Sequence, residues 1–365
     1  MAEPSMPPAH IITAVEPFTL TYPVTKPGTS QVKTKHSCGV LLRTERGPIG
    51  VGLSGMHSIR WPGISDGVLE VVRSVLVGRD ACRVRELWRA LAESKLDQVP
   101  SNAVPTRAML DIALWDILAQ SLDRPLHAIL GTARSTGPAT YLTIGDPCWS
   151  DGDLLSAVCE ATERGWRAVK VKVGRSDPCQ DAARLRAIRA AIGHDITLMA
   201  DATQLWSEAQ AVRFCRGVED VGLLWLEEPC RYYDVAAHRS LRRRTGVPLA
   251  VGENLHLVSQ FREFAEAEAV DIVQPDVTRL AGITEWLTVA GLASAYGLAV
   301  ASHHSEFGQV HQHCALACDS VSWLEFPWHN ELFAEPVRQD GNGRIVQPTG
   351  PGAGTRLREE VLAMT

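Results

Sequence analysis

Apolar and polar positions follow three successive patterns along this chain. From about residue 10 to residue 60 the apolar positions recur with a period of two, interrupted by turn residues at 45–48. This pattern predicts a small antiparallel sheet that contains a hairpin. The stretches 67–78, 82–94 and 105–131 then carry the wider spacing of amphipathic helices. The first part of the chain is therefore predicted to be an α+β unit.

From Pro138 onward, short apolar runs alternate with amphipathic helical stretches. Such an alternation predicts an α/β fold with a parallel sheet, and eight strands favour a closed barrel of the TIM type. A doubly wound open sheet would give a similar pattern and is kept as the alternative. The predicted strands cover 139–143, 168–173, 196–200, 223–226, 249–251, 272–274, 299–301 and 322–325.

The length of 365 residues is more than one hydrophobic core usually supports. It suffices for a barrel of roughly 250 residues and a second domain of roughly 100. We predict an N-terminal α+β domain at 1–133 and a barrel at 134–335. A C-terminal segment at 336–365, with turn residues at 340–344, is predicted to pack back on the first domain.

The composition describes an ordinary globular protein, with 45% hydrophobic residues, 21% charged residues and a net charge of −6. It offers no broad basic surface, so neither nucleic acid nor a membrane is expected as a partner. The nine cysteines form no CxxC pair, and no secretory signal opens the sequence. We therefore expect a cytoplasmic protein.

Three carboxylates stand directly after apolar runs at equal spacing. Asp201, Glu227 and Glu253 are separated by 26 residues each, which corresponds to one strand and one helix. In a barrel, consecutive strand ends meet at one mouth, so these side chains can reach one ion. Hard oxygen ligands favour Mg²⁺, with Mn²⁺ as the alternative. Each acid could instead be an ordinary helix cap stabilised by the helix dipole.

Two groups of basic side chains accompany these acids. Lys170 and Lys172 lie on one face of an apolar strand, and their proximity to each other and to a cation is expected to lower a lysine pKa towards that of a usable base. One lysine could hold a substrate carboxylate while the other accepts a proton; a solvated strand end is the alternative.

Asp276 and His303, 27 residues apart, could pair as carboxylate and imidazole. The later histidines, His311 and His313, are expected on a helix surface.

Taken together, the motifs resemble the enolase superfamily, in particular its mandelate racemase/muconate lactonizing enzyme subgroup. Their order and spacing agree with that subgroup over most of the predicted barrel. The motifs are KVKVG (170–174), DATQ (201–204), EEP (227–229), GEN (252–254), QPD (274–276), SHH (302–304) and WLE (323–325).

The resemblance implies a capping domain and a modified (β/α)7β barrel. It implies Asp201, Glu227 and Glu253 as Mg²⁺ ligands, and Lys172 and the Asp276–His303 pair as opposing bases. By the same resemblance, Lys170 contacts the substrate carboxylate, Glu325 donates a hydrogen bond to it, and a homo-oligomer is expected. The chain departs from the subgroup where Glu325 lies further from His303, and where Thr203 replaces a common Asn. Thr203 is kept as a substrate-binding candidate.

A base on each face of the substrate allows more than one outcome once the α-proton of a carboxylic acid has been removed to give an enolate. Loss of a β-hydroxyl gives a dehydratase, whereas reprotonation on the opposite face gives a racemase or epimerase. The predicted cap loops, 21–37 and 52–63, are polar and contain His36 and His57 as candidate substrate contacts. Their polarity favours a sugar-acid dehydratase over an enzyme for aromatic acids. A catalytically silent binding protein of the same family is the alternative from a different class.

Overall fold

The computed structural model describes residues 9–25, 32–54, 64–98, 100–304, 308–327 and 332–362. The N-terminal part contains an antiparallel sheet in the order β1-β2-β3, as predicted, followed by helices that pack on it. Its elements are β1 (Ile12–Thr25), β2 (Val32–Thr44), β3 (Gly50–Ser54), α1 (Asp66–Leu76), α2 (Val84–Ala92), α3 (Pro100–Ser121) and α4 (Leu126–Leu130).

The helical stretch predicted from residue 105 differs from the structure at its start and at its end. Helix α3 begins at Pro100, so Pro105 lies inside it. Pro105 is the sixth residue of the helix, so its missing N–H removes one hydrogen bond to the carbonyl four residues earlier. The stretch is also divided in two, because Asp123 adopts φ 50 and Pro125 precedes α4. A residue with positive φ ends a helix, and proline favours a new start.

The second part is a closed barrel of eight parallel strands, in the order β10-β11-β4-β5-β6-β7-β8-β9. This closure confirms the barrel and excludes the open sheet. Within the residues that the structure describes, seven helices lie between the eight strands, giving the (β/α)7β arrangement. The strands are β4 (Ala139–Ile144), β5 (Ala168–Lys172), β6 (Thr197–Asp201), β7 (Leu223–Glu227), β8 (Leu249–Val251), β9 (Ile272–Val273), β10 (Ala299–Ser302) and β11 (Val321–Glu325). The helices are α5 (Asp151–Glu163), α6 (Pro178–Ile192), α7 (Glu208–Gly217), α8 (Val235–Arg244), α9 (Val258–Glu266), α10 (Ile283–Ala295) and α11 (Val310–Leu316), and α12 (Glu359–Leu362) follows the barrel.

The barrel interior is filled by side chains, so it is a core and not a channel. Tyr141, Met199 and Trp225 are buried there, and the Tyr141 and Trp225 rings meet edge to face with centroids 5.4 Å apart. The C-terminal segment returns to the N-terminal sheet, where Leu357 and Val361 join a buried cluster with residues of β1. The domain boundaries given above stay a prediction. Among the described residues, no helix has the length and apolar character of a membrane span.

Helix α3 is joined to the barrel through a buried hydrogen-bonded group. Asp111 accepts hydrogen bonds from the backbone N–H of Thr284 at 2.8 Å and from its hydroxyl at 2.7 Å. Trp115 donates its indole N–H to the same hydroxyl at 3.0 Å. Burial raises the pKa of Asp111 to about 7, although the Thr284 hydrogen bonds oppose this. Since Thr284 begins α10, these contacts fix the N-terminal helices against the barrel.

The raised pKa of Asp111 predicts a pH-dependent contribution to stability. The folded pKa of about 7 exceeds the ordinary value of 3.8, so the folded protein holds the proton more tightly than the unfolded chain. This stabilisation is complete below the ordinary pKa and is lost as the pH rises through the folded one. Relative to Asp111→Asn, the wild-type free energy of unfolding should fall by up to about 1.4 kcal/mol per pH unit across this window. Urea unfolding of both proteins between the two pKa values checks this, and a constant difference would contradict it.

Candidate active site

The register of the barrel strands brings the predicted site residues to one edge. Lys172 lies opposite Asp201 in the pairing of β5 with β6, and Asp201 lies opposite Glu227 in the pairing of β6 with β7. Each of these residues ends its strand, so the three side chains gather at the carboxyl mouth of the barrel. The strand-end positions predicted from the sequence are therefore neighbours in space.

Asp201 is held by two groups of donors. Its Oδ1 accepts from the backbone N–H of Thr203 at 2.8 Å and from the Thr203 hydroxyl at 3.1 Å. Its Oδ2 accepts a hydrogen bond from Lys172, whose Nζ also lies 3.4 Å from the Thr203 hydroxyl. Thr203 has φ 45 and the next residue, Gln204, has φ 64. Left-handed backbone at a β-branched residue is costly, and such strain is typical of functional sites.

Glu227 and Lys170 form a fully buried ion pair beside Asp201. Lys170 Nζ donates to Glu227 Oε2 at 2.7 Å and lies 3.8 Å from Asp201 Oδ2 and 3.6 Å from Glu325 Oε1. Gln274 also donates to Glu227 Oε2, at 2.6 Å, whereas Glu227 Oε1 is buried with no hydrogen-bond partner. Lys170 thus links carboxylates from three strands, and Glu227 keeps one oxygen available to a ligand.

Glu253 lies beyond the end of β8, where the chain passes very close to a neighbouring strand end. A Cβ at Gly252 would lie 2.6 Å from the backbone of Gln274, so only glycine fits there. Glu253 Oε1 accepts from Asn254 at 3.0 Å and lies 3.6 Å from Arg279. Glu253 Oε2 lies 2.8 Å from Nε2 of His303. The third carboxylate therefore faces the histidine, on the far side from the lysines.

His303 stands between two carboxylates. Its Nδ1 lies 2.7 Å from Asp276 Oδ2, while its Nε2 bonds Glu253 and lies 3.6 Å from Glu325 Oε2. Burial alone would lower the pKa of His303, but the charges of Glu253 and Glu325 and the hydrogen bond to Asp276 raise it to about 10. The predicted Asp276–His303 pair is present, and the imidazole favours its protonated form.

Negative charge accumulates at the other carboxylates. Burial, together with the charges of Asp201 and Glu253, raises the pKa of Glu227 to about 7, although Lys170 opposes this. The adjacent Glu228, whose carboxylate accepts from Asn254, has its pKa raised to about 8 by burial and by Glu253 and Glu227. Carboxylates whose pKa rises to neutrality lack compensating positive charge.

The side chains alone raise the pKa of both lysines, and the lowering expected beside a divalent cation stays a prediction. Burial lowers the pKa of Lys172, and Lys170 lowers it further, but the charges of Asp201, Glu253 and Glu227 together outweigh both and raise it. For Lys170, the charges of Glu227 and Glu325 likewise outweigh burial and raise the pKa well above its usual value. The sequence pattern placed the two ammonium groups correctly but did not reveal how many carboxylates surround them.

The residues present fit a divalent cation. Six carboxylates face three permanently charged cations, so the site has negative charge to spare, and Glu227 Oε1 is buried without a partner. As the side chains stand, no three His, Cys, Asp or Glu residues within the described ranges form a group that could hold a metal ion. Asp201, Glu227 and Glu253 instead bond Lys172, Lys170 and His303. The carboxylates are Asp201, Glu227, Glu228, Glu253, Asp276 and Glu325, and the cations are Lys170, Lys172 and Arg279.

The remaining sequence candidates have different outcomes. Glu325 ends β11 and accepts a hydrogen bond from Thr143, which brings it to the site. His36 is exposed on β2, and its Nδ1 lies 2.9 Å from the hydroxyl of Thr21. His57 and the loop residues 26–31 and 55–63 lie outside the described residues.

The helix-surface prediction for two later histidines is wrong. His311 and His313 on α11 are fully buried. The ring of His311 packs against that of His304 with centroids 4.6 Å apart, and His313 stacks on His127. All seven residues of α11 are buried, so the helix has no polar face that a periodic pattern could reveal.

Several site residues were missed from the sequence. Arg279, Gln274 and Asn254 contact the predicted ligands or the dyad, and Glu228 accepts from Asn254. Each lies within three positions of a predicted residue, and that proximity was the available signal. Gln274 is two residues before Asp276, and Arg279 is three residues after it.

Comparison with known proteins gives the same assignment for both parts of the chain. Residues 10–131 match the mandelate racemase / muconate lactonizing enzyme N-terminal domain. Residues 153–361 match the enolase C-terminal domain-like family. Among curated proteins, the L-talarate/galactarate dehydratase of Salmonella typhimurium is 32% identical over 327 residues, covering 89% of this chain and 81% of that protein.

Two solved structures have the same fold over nearly the whole chain. The L-talarate dehydratase from Polaromonas sp. JS666, complexed with Mg and L-glucarate, superposes with a TM-score of 0.84 at 30% identity and covers 98% of each chain. A racemase from Streptomyces coelicolor A3(2) with bound magnesium has a TM-score of 0.85 at 26% identity, covering 97% of this chain and 99% of that one. Both solved structures contain magnesium, but one protein is named a dehydratase and the other a racemase.

Proposed function

The chain belongs to the mandelate racemase/muconate lactonizing enzyme group of the enolase superfamily, and we propose that it is a Mg²⁺-dependent sugar-acid dehydratase. It removes the proton α to a substrate carboxylate and then eliminates the β-hydroxyl as water. The observation that carries this proposal is the position of the two bases. Lys172 bonds Asp201 at one end of the carboxylate group, and His303 bonds Glu253 at the other.

Asp201, Glu227 and Glu253 would hold the metal, in accord with their oxygen chemistry and their excess of negative charge. A bound Mg²⁺ supplies positive charge that lowers the pKa of the neighbouring lysines and stabilises negative charge developing on the substrate carboxylate. Lys170, which already links three carboxylates, orients the substrate carboxylate. The hydrogen bond expected from Glu325 to that carboxylate requires a protonated Glu325; burial raises its pKa, but Lys170 and His303 outweigh burial and lower it. Thr203 holds Asp201 in place through its backbone and hydroxyl.

Lys172 accepts the α-proton, and His303 donates a proton to the leaving hydroxyl on the opposite side. The direction of Nε2 of His303, which points to the carboxylates of the site and away from Asp276, supports this second role. Asp276 stabilises the charged imidazole through Nδ1, so Nε2 is the nitrogen that faces the substrate. The similarity to two dehydratases of sugar acids supports the choice of substrate class.

A racemase or epimerase is the second candidate. The same two bases, placed on opposite sides, would return a proton to either face of the α-carbon. One structural relative is named a racemase. The polar loops that favour a sugar acid include residues 26–31 and 55–63, which lie outside the described ranges, so the substrate choice depends on the relatives.

We predict that the purified protein with Mg²⁺ converts at least one member of a library of aldonates, aldarates and uronates to a keto acid. Product is measured as a semicarbazone by absorbance. Incorporation of deuterium at the α-carbon in D₂O, followed by NMR, detects proton removal independently. Exchange with loss of optical rotation and no keto acid would favour the racemase. Absence of both reactions across the library would favour a silent binding protein.

The location and the assembly of the protein are also proposals. We propose a cytoplasmic enzyme, supported by nine cysteines in the described chain that form no disulfide bond. We propose a homo-oligomer by resemblance to the subgroup, which light scattering of the purified protein tests directly. The domain boundaries at 133 and 335 remain proposals as well.

A further inference from the structure

His311 is a buried ionisable side chain that the proposed mechanism does not use. It lies on α11, is fully buried, and bonds the carboxylate of the dyad. Its Nε2 lies 3.0 Å from Asp276 Oδ1, the oxygen that His303 does not contact. Asp276 therefore stands between two imidazoles, one on each carboxylate oxygen.

The position of the proton on His311 follows from the chemistry of its partner. A carboxylate oxygen can only accept, so Nε2 carries a proton and donates it to Asp276. In the competing assignment, Nε2 accepts from the backbone N–H of Val277 at 3.2 Å. That would direct a lone pair at a buried carboxylate 3.0 Å away, which costs more than a poorly paired amide.

Asp276 is thereby fixed in orientation. Its Oδ1 accepts from the backbone N–H of Thr278 at 2.8 Å, from the Thr278 hydroxyl at 2.7 Å and from His311. These three donors prevent the carboxylate from turning, so Oδ2 stays directed at Nδ1 of His303, 2.7 Å away. The opposite nitrogen of His303 is consequently held towards Glu253 and Glu325. Donors on Oδ1 also withdraw charge from the carboxylate and weaken its pull on the His303 proton.

We propose that His311 is a positioning residue for the His303 half of the reaction. It acts through Asp276, and contact with the substrate is not required. The inference rests on the proposed function, because it assigns His303 to one face of the α-carbon. The alternative is that His311 only fills the core, where it packs against the ring of His304.

The first test does not depend on any substrate. The Nδ1 proton of His303, donated to a buried carboxylate, should give a downfield ¹H resonance in ¹⁵N-histidine-labelled protein, assigned by its loss in His303→Asn. In His311→Leu this resonance should move upfield or broaden beyond detection. In His311→Gln, whose amide nitrogen can replace Nε2 as a donor, it should return. An unchanged resonance in a folded His311→Leu would overturn the proposal.

The second test separates the two faces of the substrate. Two sugar acids epimeric at the α-carbon present the α-proton to His303 or to Lys172, and deuterium exchange in D₂O reports each. In His311→Leu, the rate of deuterium exchange on the His303 face should fall by about tenfold or more, with KM little changed. The exchange rate on the Lys172 face should fall by less than about threefold. His311→Gln should restore the lost rate to within about threefold of wild type.

His313→Asn is the matched control. His313 is equally buried on the same helix, and its Nδ1 accepts from the backbone of His127, an acceptor that the asparagine oxygen can replace. In His313→Asn, the deuterium exchange rates on both faces should equal those of the wild-type protein. Equal losses on both faces in His311→Leu would mean a packing role and overturn the proposal. If the wild-type protein exchanges neither epimer, the proposed function fails, and the NMR test alone still decides the role of His311.

Discussion

Replacing Lys172 by methionine should lower kcat by about a hundredfold to ten-thousandfold, the range that a positioned general base contributes. Methionine keeps the length and the apolar stem of lysine but cannot accept a proton. The Lys172 ammonium contacts only Asp201 and Thr203 among the polar groups described, so its loss should affect chemistry more than folding. The measurement is kcat for keto-acid formation, with the melting temperature as a check of folding.

Deuterium exchange on the His303 face, where the base is unchanged, is the control for this variant. In Lys172→Met, deuterium exchange should persist on the His303 face, and affinity for the divalent metal should not fall, because the variant removes an ammonium that bonds the metal ligand Asp201. Methylamine added to Lys172→Ala should restore part of the lost rate, because a small amine can enter the space of the missing side chain. Undiminished exchange on the Lys172 face in Lys172→Met would exclude this lysine as the base.

The positions of the strands and of the site residues were predictable because they depend on short-range order. Strands β6 and β7 are apolar runs of a few residues that end in a carboxylate, so both the run and its end are visible in the sequence. The parallel register then brings equally placed ends together, as it does for Asp201 and Glu227. One repeated spacing was therefore enough to predict the carboxylate group.

The charge state of the site was not predictable in the same way. The sign of a lysine pKa change depends on how many carboxylates lie within a few ångströms, and two of those around Lys170 come from β7 and β11, distant in the sequence. The burial of His311 was hidden for a different reason. Helix α11 is buried on all sides, and a periodic pattern identifies only helices that have a solvent face.

Changing Glu227 to glutamine should lower affinity for Mn²⁺ or Mg²⁺ by at least about a hundredfold and abolish turnover at ordinary metal concentrations. The glutamine keeps the size of the side chain, and its oxygen can still accept from Lys170 or Gln274, so the local packing should survive. What it loses is the negative charge at the central position of the three carboxylates. Titration of Mn²⁺ followed by EPR measures the affinity without requiring activity.

Glu228→Gln is the sharpest control for this prediction, since Glu228 is adjacent in sequence and equally buried. Both oxygens of Glu228 accept from Asn254, whereas Glu227 Oε1 is buried without a hydrogen-bond partner. The amide variant of Glu228 should therefore keep Mn²⁺ affinity within about threefold of wild type. Loss of affinity in Glu228→Gln with retention in Glu227→Gln would place the ligand one residue later. Retention in both would remove Glu227 from the metal site, and with it the proposed stabilisation of the enolate.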